Sequence, residues 1–176
     1  MKKLDPDRSY ARMKRIADSI EVSISKHVKR LLLVGSLGRR EGYAEDIDIL
    51  VEPVSTNSIE GIRAVLKDIG EWKKGADRQM TVKNVFHSGV QLDLFLCHPP
   101  AQWGVLTAVR LNPIPLVIYG KQVIDDKGYI RGGGTIHDEH GDELHLPTER
   151  EWFDLIDIPF SFPEKRWELV RDLRLI

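Results

Sequence analysis

Several features that mark other classes of protein are scarce or missing in this sequence. Its 176 residues contain one cysteine, Cys97, which excludes an intramolecular disulfide framework and fits a reducing compartment. No apolar run approaches the roughly 20 residues that a membrane-spanning helix needs. The first residues, MKKLDPDRSYARMKR, are charged and lack the apolar stretch of a signal peptide. We therefore expect an intracellular protein of the host or viral cytoplasm, with no membrane partner and with a monomer favoured.

The whole chain has almost no net charge, but its charged residues are unevenly distributed along the sequence. The formal net charge is −1, yet residues 1–40 carry 11 Lys+Arg against 4 Asp+Glu. A basic N-terminal region suits a polyanionic partner, although on charge alone a solvated helix face is the favoured interpretation. The near-neutral total argues against tight, salt-sensitive DNA binding.

Hydrophobic periodicity predicts alternating helices and strands in the first half of the chain. Apolar residues at three- and four-residue steps predict a helix over residues 6–30, capped by Asp5 with Pro6 at its first position. LLLVG (31–35) is predicted to be a short buried strand. GSLGRR is then a turn into a helix start, and DIDILVE (46–52) is a second strand.

The next elements are predicted in the same way. Helical spacing recurs over residues 57–69, and Gly70 suits its end. TVKNVFH and VQLDLFLC flank Ser88-Gly89 and predict a hairpin. Beyond residue 98, AQWGVLTAVRL predicts a short helix that the following prolines interrupt or restart. GYIRGGGTIHDEHGDELHLP predicts a hairpin, and PTEREWFDLI predicts a helix capped by Thr148 with Glu151 three residues on.

The pattern predicts an α/β to α+β protein with two lobes. The first, residues 1–98, would hold a mixed sheet with helices and the basic N-terminal helix. The second, residues 99–176, would be a smaller α+β lobe.

Three aspartates carry the strongest chemical signal. Asp46 and Asp48 lie on the strand face opposite the aliphatic row of DIDIL, and Asp93 has the matching position in VQLDLFL. Like charges on one strand face repel each other unless a cation lies between them. Hard oxygen ligands from two strands suit Mg²⁺, which binds through a few carboxylates and substrate phosphates. Two such ions about 4 Å apart would clamp an in-line displacement at phosphorus.

The stretch before these aspartates suits a phosphate. Gly35 lets the backbone approach closely, and Ser36 adds a hydroxyl at a helix start with free N–H groups. Arg39 and Arg40 could supply charge-assisted bonds to the β- or γ-phosphate. Each feature alone is ordinary, since Gly-Ser turns are common and a lone aspartate can face solvent. Their combination in this order is much more specific.

The segment GSLGRREGYAEDIDIL resembles the signature of the nucleotidyltransferase superfamily that includes the polymerase β-like, family X DNA polymerases. VQLDLFL resembles their third-aspartate strand, and PPAQWGVL resembles the segment that leads to the thumb. The C-terminal stretch from GYIRGGG to PFSFPEKR resembles the thumb itself. The resemblance runs from about Leu31 to Arg166 and implies a nucleotidyltransferase palm over residues 1–98 followed by a thumb-like lobe over 99–176.

The resemblance also implies roles. Asp46 and Asp48 would hold two Mg²⁺ ions, or Mn²⁺ in their place, and Asp93 would complete the ion that activates the primer 3′-hydroxyl and could accept its proton. Gly35, Ser36 and Arg39 would bind the triphosphate of a dNTP or NTP, with Arg40 as a further candidate.

The function expected is metal-dependent nucleotidyl transfer, by a small family X-like DNA polymerase that fills gaps or extends primer ends for DNA repair. Primer-template or gapped DNA would be the partner. A second hypothesis keeps the chemistry but moves the nucleotide onto a small molecule or a protein. It is favoured by the near-neutral charge and by TAVRLNP, which replaces the family's threonine-glycine turn. A third is a non-catalytic nucleic-acid-binding module.

The remaining polar and aromatic candidates have simpler interpretations. HDEH (137–140) is expected to be a solvated turn rather than a metal site, and Cys97 to be a small buried residue. Most of the four tryptophans are expected to be core anchors, with Trp103 kept as a candidate for base stacking. Four cations of the second lobe could contact phosphate or simply lie on its surface: Arg110, Arg131, Lys165 and Arg166.

Overall fold

The structure is a computed structural model that describes residues 8–76 and 78–176. The chain divides into two compact units, Met1–His98 and Pro99–Ile176. Among the described residues, no helix combines the length and the apolar content required to cross a bilayer.

Seven helices and seven strands are described in these two ranges. The helices are α1 (Tyr10–Ile24), α2 (Gly35–Gly38), α3 (Thr56–Ile69), α4 (Trp103–Leu111), α5 (Ile114–Asp126), α6 (Glu149–Leu155) and α7 (Arg166–Asp172). The strands are β1 (Val28–Val34), β2 (Ile47–Pro53), β3 (Glu71–Ala76), β4 (Gln79–Lys83), β5 (Leu92–Leu96), β6 (Ile130–Gly132) and β7 (Thr135–His137). Short 3₁₀ turns cover Ser25–His27, Val85–His87 and Pro163–Lys165.

The first unit is built on a five-stranded mixed sheet. Its strand order is β1-β2-β5-β4-β3, with β2 and β5 parallel and the other neighbours antiparallel. Parallel neighbours need a crossover, and here the chain between β2 and β5 supplies α3, β3 and β4. The predicted class, a mixed sheet with helices, is confirmed at this level.

One face of this sheet packs against α1 and α3. β2 contributes Ile47, Ile49 and Val51 to the core, as the alternation in DIDILV predicts. The helices add buried residues at three- and four-residue spacing: Met13, Ala17, Ile20, Ile24, Ile59, Ile62 and Leu66. The aspartates of β2 and β5 therefore belong to the other face of the same sheet.

The first helix is shorter than predicted. A helix to residue 30 is wrong, because α1 ends at Ile24 and β1 begins at Val28. The apolar residues of β1 satisfy a helical and an extended pattern alike, and pairing with β2 decides for the strand. The N-terminal cap expected at Asp5 and Pro6 lies outside the described residues.

The later elements of the first unit follow the predictions in part. α3 is confirmed, with the hydroxyl of Ser55 accepting a bond from the Ser58 amide at 3.3 Å and with Gly70 at its C-terminal end. β4 and β5 pair antiparallel, which confirms the predicted partnership. The strands are shorter than expected, because residues 84–91 form a looped connection rather than a tight turn. β3 was not predicted, since EWKKGA has no apolar alternation.

The second unit contains four helices and the two-stranded β6–β7 sheet. α6 has the predicted capping box, in which Thr148 bonds the Arg150 amide and Glu151 bonds the Thr148 amide. The chain restarts as α5 after Pro113, one of the two outcomes predicted there. The core of the second unit contains Trp152 and Phe153 together with aliphatic residues from α4 and α5. α7 was not predicted.

Arg166 corrects an expectation about the second unit. Its side chain is fully buried and forms two bonds to Glu149, at 2.7 and 2.6 Å. A surface or phosphate-contacting role is therefore wrong for this residue. The pair joins α6 to α7. Burial raises the pKa of Glu149, and the two bonds from Arg166 act against that rise.

Candidate functional site

The three aspartates lie together on the open face of the sheet. Asp48 and Asp93 are direct neighbours across the parallel β2–β5 pair, and Asp46 immediately precedes β2 on the same face. One carboxylate oxygen from each lies within 4.8 Å of the others, and all three side chains are half-buried. The alternation of side chains along a strand and the register of the two strands together create this cluster.

Backbone hydrogen bonds hold the loop that carries Asp46 at both of its ends. The Ala44 amide donates to the Arg8 carbonyl at 3.1 Å, and the Tyr10 amide donates to the Gly42 carbonyl at 3.2 Å. The Ile47 amide donates to Gln91 at 2.9 Å and starts the pairing with β5. The position of Asp46 is therefore fixed by backbone bonds.

Asp93 is oriented by two residues of β4 and by Gln91, which immediately precedes β5. Its Oδ1 accepts bonds from Gln79 Nε2 at 3.1 Å and from the buried hydroxyl of Thr81. Its Oδ2 accepts from Gln91 Nε2 at 2.8 Å. An ionised carboxylate has about four acceptor positions, so these bonds leave one on Oδ2. Asp93 is thus held in one orientation with an acceptor position still free.

The cluster concentrates negative charge. Burial and then the nearby charge of Asp93 raise the pKa of Asp46 above its usual value. Two carboxylates at such separations repel each other by on the order of 3 kcal/mol at an effective dielectric constant of about 20. A cation among the three oxygens would relieve this repulsion.

Gly35 sits directly beside the cluster. Its φ is +60°, in the left-handed region, and a methyl group at this position would overlap Asp48 Oδ2. Both the backbone conformation and the space therefore require glycine. Gly35 also begins α2, so that the end of β1, the turn and the aspartate strand β2 meet at one place.

The other predicted phosphate-binding residues follow Gly35 along α2. The Ser36 carbonyl accepts a bond from the Glu41 amide at 3.0 Å, which closes the turn. Arg39 is largely buried, with 11% of its side chain exposed, and its Nε donates to Glu41 at 2.6 Å. Arg40 is exposed and has a φ of 57°. Binding of a triphosphate by Ser36, Arg39 or Arg40 stays a prediction.

The donor set fits a hard divalent cation. Carboxylate oxygens are the ligands that Mg²⁺ and Mn²⁺ prefer, and the cluster offers three of them without a thiolate or an imidazole. The single thiol elsewhere in this unit is inert by comparison, since burial raises the pKa of Cys97 to about 11.

The residues that orient Asp93 were not found from the sequence. Gln79 and Thr81 alternate in QMTV and therefore share the face of Asp93, but their contact depends on the β4–β5 register. The signal that could have identified them is a polar residue at every second position in two adjacent strands. Neither a protein-family model nor a curated protein sequence matches this chain.

Proposed function

We propose that this protein is a divalent-metal-dependent nucleotidyltransferase of the polymerase β-like type, which adds a deoxynucleoside monophosphate to a primer 3′-hydroxyl. The observation that supports this most directly is the meeting of Asp46, Asp48 and Asp93 with their oxygens within 4.8 Å. The half-buried cluster lies beside a glycine whose conformation and contact leave no room for a side chain.

Asp46, Asp48 and Asp93 would hold the metal. Bound divalent ions supply positive charge for the triphosphate and make the acceptor hydroxyl more acidic. In the reaction the acceptor hydroxyl would give its proton to Asp93 as its oxygen bonds to the α-phosphorus. The bond from that phosphorus to the bridging oxygen would break, and pyrophosphate would leave.

The chain's own residues would position these groups. Gln79, Thr81 and Gln91 keep Asp93 in one orientation, so little reorganisation is needed when substrate binds. Gly35 would let the phosphates approach the backbone at the start of α2. Arg39 lies at the far end of this turn, where binding of a phosphate by its guanidinium would compete with its bond to Glu41.

Primer extension tests the proposal. The wild-type protein is given Mg²⁺, all four deoxynucleotides and a primer-template with a short gap beyond the primer end. We expect templated extension by the wild type and none by the Asp46→Asn/Asp48→Asn double variant. The matched control is Asp68→Asn, an exposed carboxylate on α3, which should extend primers as the wild type does.

The failures of this experiment are informative. Nucleotide consumption without primer extension, lost in the double variant, would replace the DNA acceptor by a small molecule or a protein while keeping the chemistry. Extension that survives in the double variant would contradict the proposed role of the aspartates. No nucleotide consumption with any acceptor would contradict the proposal as a whole.

A further inference from the structure

A concave surface of the first unit contains none of the three aspartates. It is a cavity of about 440 Å³ between α1 and the loop that joins β4 to β5. Its lining consists of Arg12, Arg15, Ile16, Ser19, Phe86 and Ser88. The lining thus contains two guanidinium groups, an aromatic ring and no carboxylate.

The cavity wall on α1 follows from helical geometry. Arg15 and Ile16 each lie three or four residues from both Arg12 and Ser19, so the four lining residues form one stripe along the helix. The core stripe that contains Met13 and Ala17 runs beside it. Lys14 and Asp18, which belong to neither stripe, bond to each other. The positive charge of Arg15 therefore faces the cavity without an acid among the lining residues.

The opposite wall of the cavity contains Phe86, which has an unusual backbone conformation. Its φ is 50°, a left-handed conformation that is rare for a bulky residue, and 40% of the residue is exposed. Asn84 and His87 on either side also have positive φ values. Strained backbone of this kind persists only where the surrounding structure enforces it, and it concentrates at functional sites.

Hydrogen bonds within and beside the loop hold Phe86 in this conformation. The Gly89 amide donates to Asn84 Oδ1 at 3.0 Å, and the Val85 amide donates to the Val90 carbonyl at 3.0 Å. Ser88 Oγ donates to the Val85 carbonyl at 2.5 Å. Arg8, just before α1, donates to the Gly89 carbonyl at 3.0 Å. The loop is thus braced from within and from the helix side, with Val85 buried and Phe86 left exposed.

We propose that this cavity binds a single-stranded nucleic-acid segment, with a base stacked on Phe86, a phosphate paired with Arg15 and the positive charge of Arg12 beside it. Stacking on an exposed aromatic ring combined with a positively charged groove is how single strands are bound without sequence readout. Arginine adds paired contacts to phosphate oxygens. The surface is distinct from the aspartate cluster, and its binding does not depend on the proposed transfer reaction.

Fluorescence anisotropy with a labelled single-stranded oligonucleotide tests this inference. The titration is done in EDTA, so that no metal at the aspartates contributes. Phe86→Ala should weaken binding by about 5-fold or more, whereas Phe86→Trp should keep it. Arg15→Gln should reduce the slope of log affinity against log salt by about 0.7, the value for one phosphate on a single strand.

Matched controls separate this surface from general effects. Phe162→Ala removes an exposed phenylalanine from the second unit, and Arg63→Gln removes one charge from α3; both should bind as the wild type does. The retained binding of Phe86→Trp shows that loss in Phe86→Ala is due to stacking rather than to misfolding.

Three results would overturn the inference. In the first, the wild type does not bind the oligonucleotide. If it still transfers nucleotides, this result contradicts the binding role of the cavity but not the proposed function. Phe86→Ala and Phe86→Trp could both bind as tightly as the wild type. Binding of an acidic peptide, lost in Arg15→Gln and without any oligonucleotide binding, would assign the cavity to a protein partner.

Discussion

At the scale of single residues, Gly35 is where conformation and contact constrain the chain together. Gly35→Ala would place a methyl group against Asp48 at a φ of +60°. We expect the free energy of unfolding to fall by about 1 to 3 kcal/mol and Mg²⁺-dependent activity to be lost. Urea unfolding measures the first effect and primer extension the second.

Gly42→Ala is the matched control for this change. Gly42 has no atom within 4 Å of the place where a methyl group would lie. Its substitution should leave stability and activity near the wild-type values. Equal behaviour of the two alanine variants would contradict the tight packing of Gly35 against Asp48.

The raised pKa of Asp46 predicts how the stability of the protein depends on pH. Because burial and the charge of Asp93 raise its pKa, ionised Asp46 destabilises the metal-free fold. Asp46→Asn should therefore raise the free energy of unfolding at pH 7 by about 0.5 to 2 kcal/mol. The gain should shrink as the pH falls through the raised pKa, because the wild-type carboxyl is then neutral as well.

Thermal and urea unfolding in EDTA, at a series of pH values, measure this difference. Asp68→Asn, on the exposed side of α3, is the control and should show no comparable gain. An Asp46→Asn protein that is less stable than the wild type at pH 7 would contradict the interpretation of the cluster as repulsive.

At the scale of secondary-structure elements, β4 acts on the site through Asp93. Thr81→Val keeps the shape of the buried side chain but removes the hydroxyl that bonds Asp93 Oδ1. Loss of a partner that orients a metal ligand typically costs 10- to 100-fold in affinity or activity. We expect Mg²⁺-dependent activity to fall by about that factor, with a higher Mg²⁺ requirement.

Thr107→Val is the natural comparison for this prediction. Thr107 lies in α4, is equally buried, and its hydroxyl has no hydrogen-bond partner among the described residues. Its replacement should leave the Mg²⁺ requirement unchanged. If both valine variants retain full activity at low Mg²⁺, orientation of Asp93 by β4 is not needed.

The α6–α7 pair supports a prediction on stability. Glu149→Gln leaves the buried Arg166 charge without its carboxylate, which typically costs about 3 to 5 kcal/mol. Urea unfolding followed by tryptophan fluorescence, to which Trp103, Trp152 and Trp167 of the second unit contribute, would measure it. Glu139→Gln, in an exposed turn, should change stability by less than about 0.5 kcal/mol. A small effect of Glu149→Gln would show that the ion pair is dispensable.

These elements also show what the sequence could and could not predict. The alternation in DIDIL and LDLFL was sufficient to place three aspartates on one face, because side-chain direction repeats every two residues along a strand. The end of α1 was not predictable, since Val28 and Leu31 fit both a helix and a strand. β3 was not predicted because EWKKGA lacks an apolar period. α7 was not predicted because it is only two turns long.

At the scale of the whole molecule, the uneven charge of the sequence has a structural counterpart. The basic first 40 residues include α1, whose Arg12 and Arg15 line the cavity beside Phe86. The aspartate cluster is built from β2 and β5, in the acidic remainder. Long-range strand register created the cluster and its supporting bonds, and no local pattern in the sequence encodes that register.

A Mn²⁺ titration tests the central claim, that the three aspartates form a metal site, most directly. Calorimetry in the presence of a deoxynucleoside triphosphate would compare the wild type with Asp46→Asn, Asp48→Asn, Asp93→Asn and the control Asp68→Asn. We predict saturable binding by the wild type and the control, weakened by at least about 10-fold in each of the three cluster variants. Equal Mn²⁺ affinity in all five proteins would contradict the account.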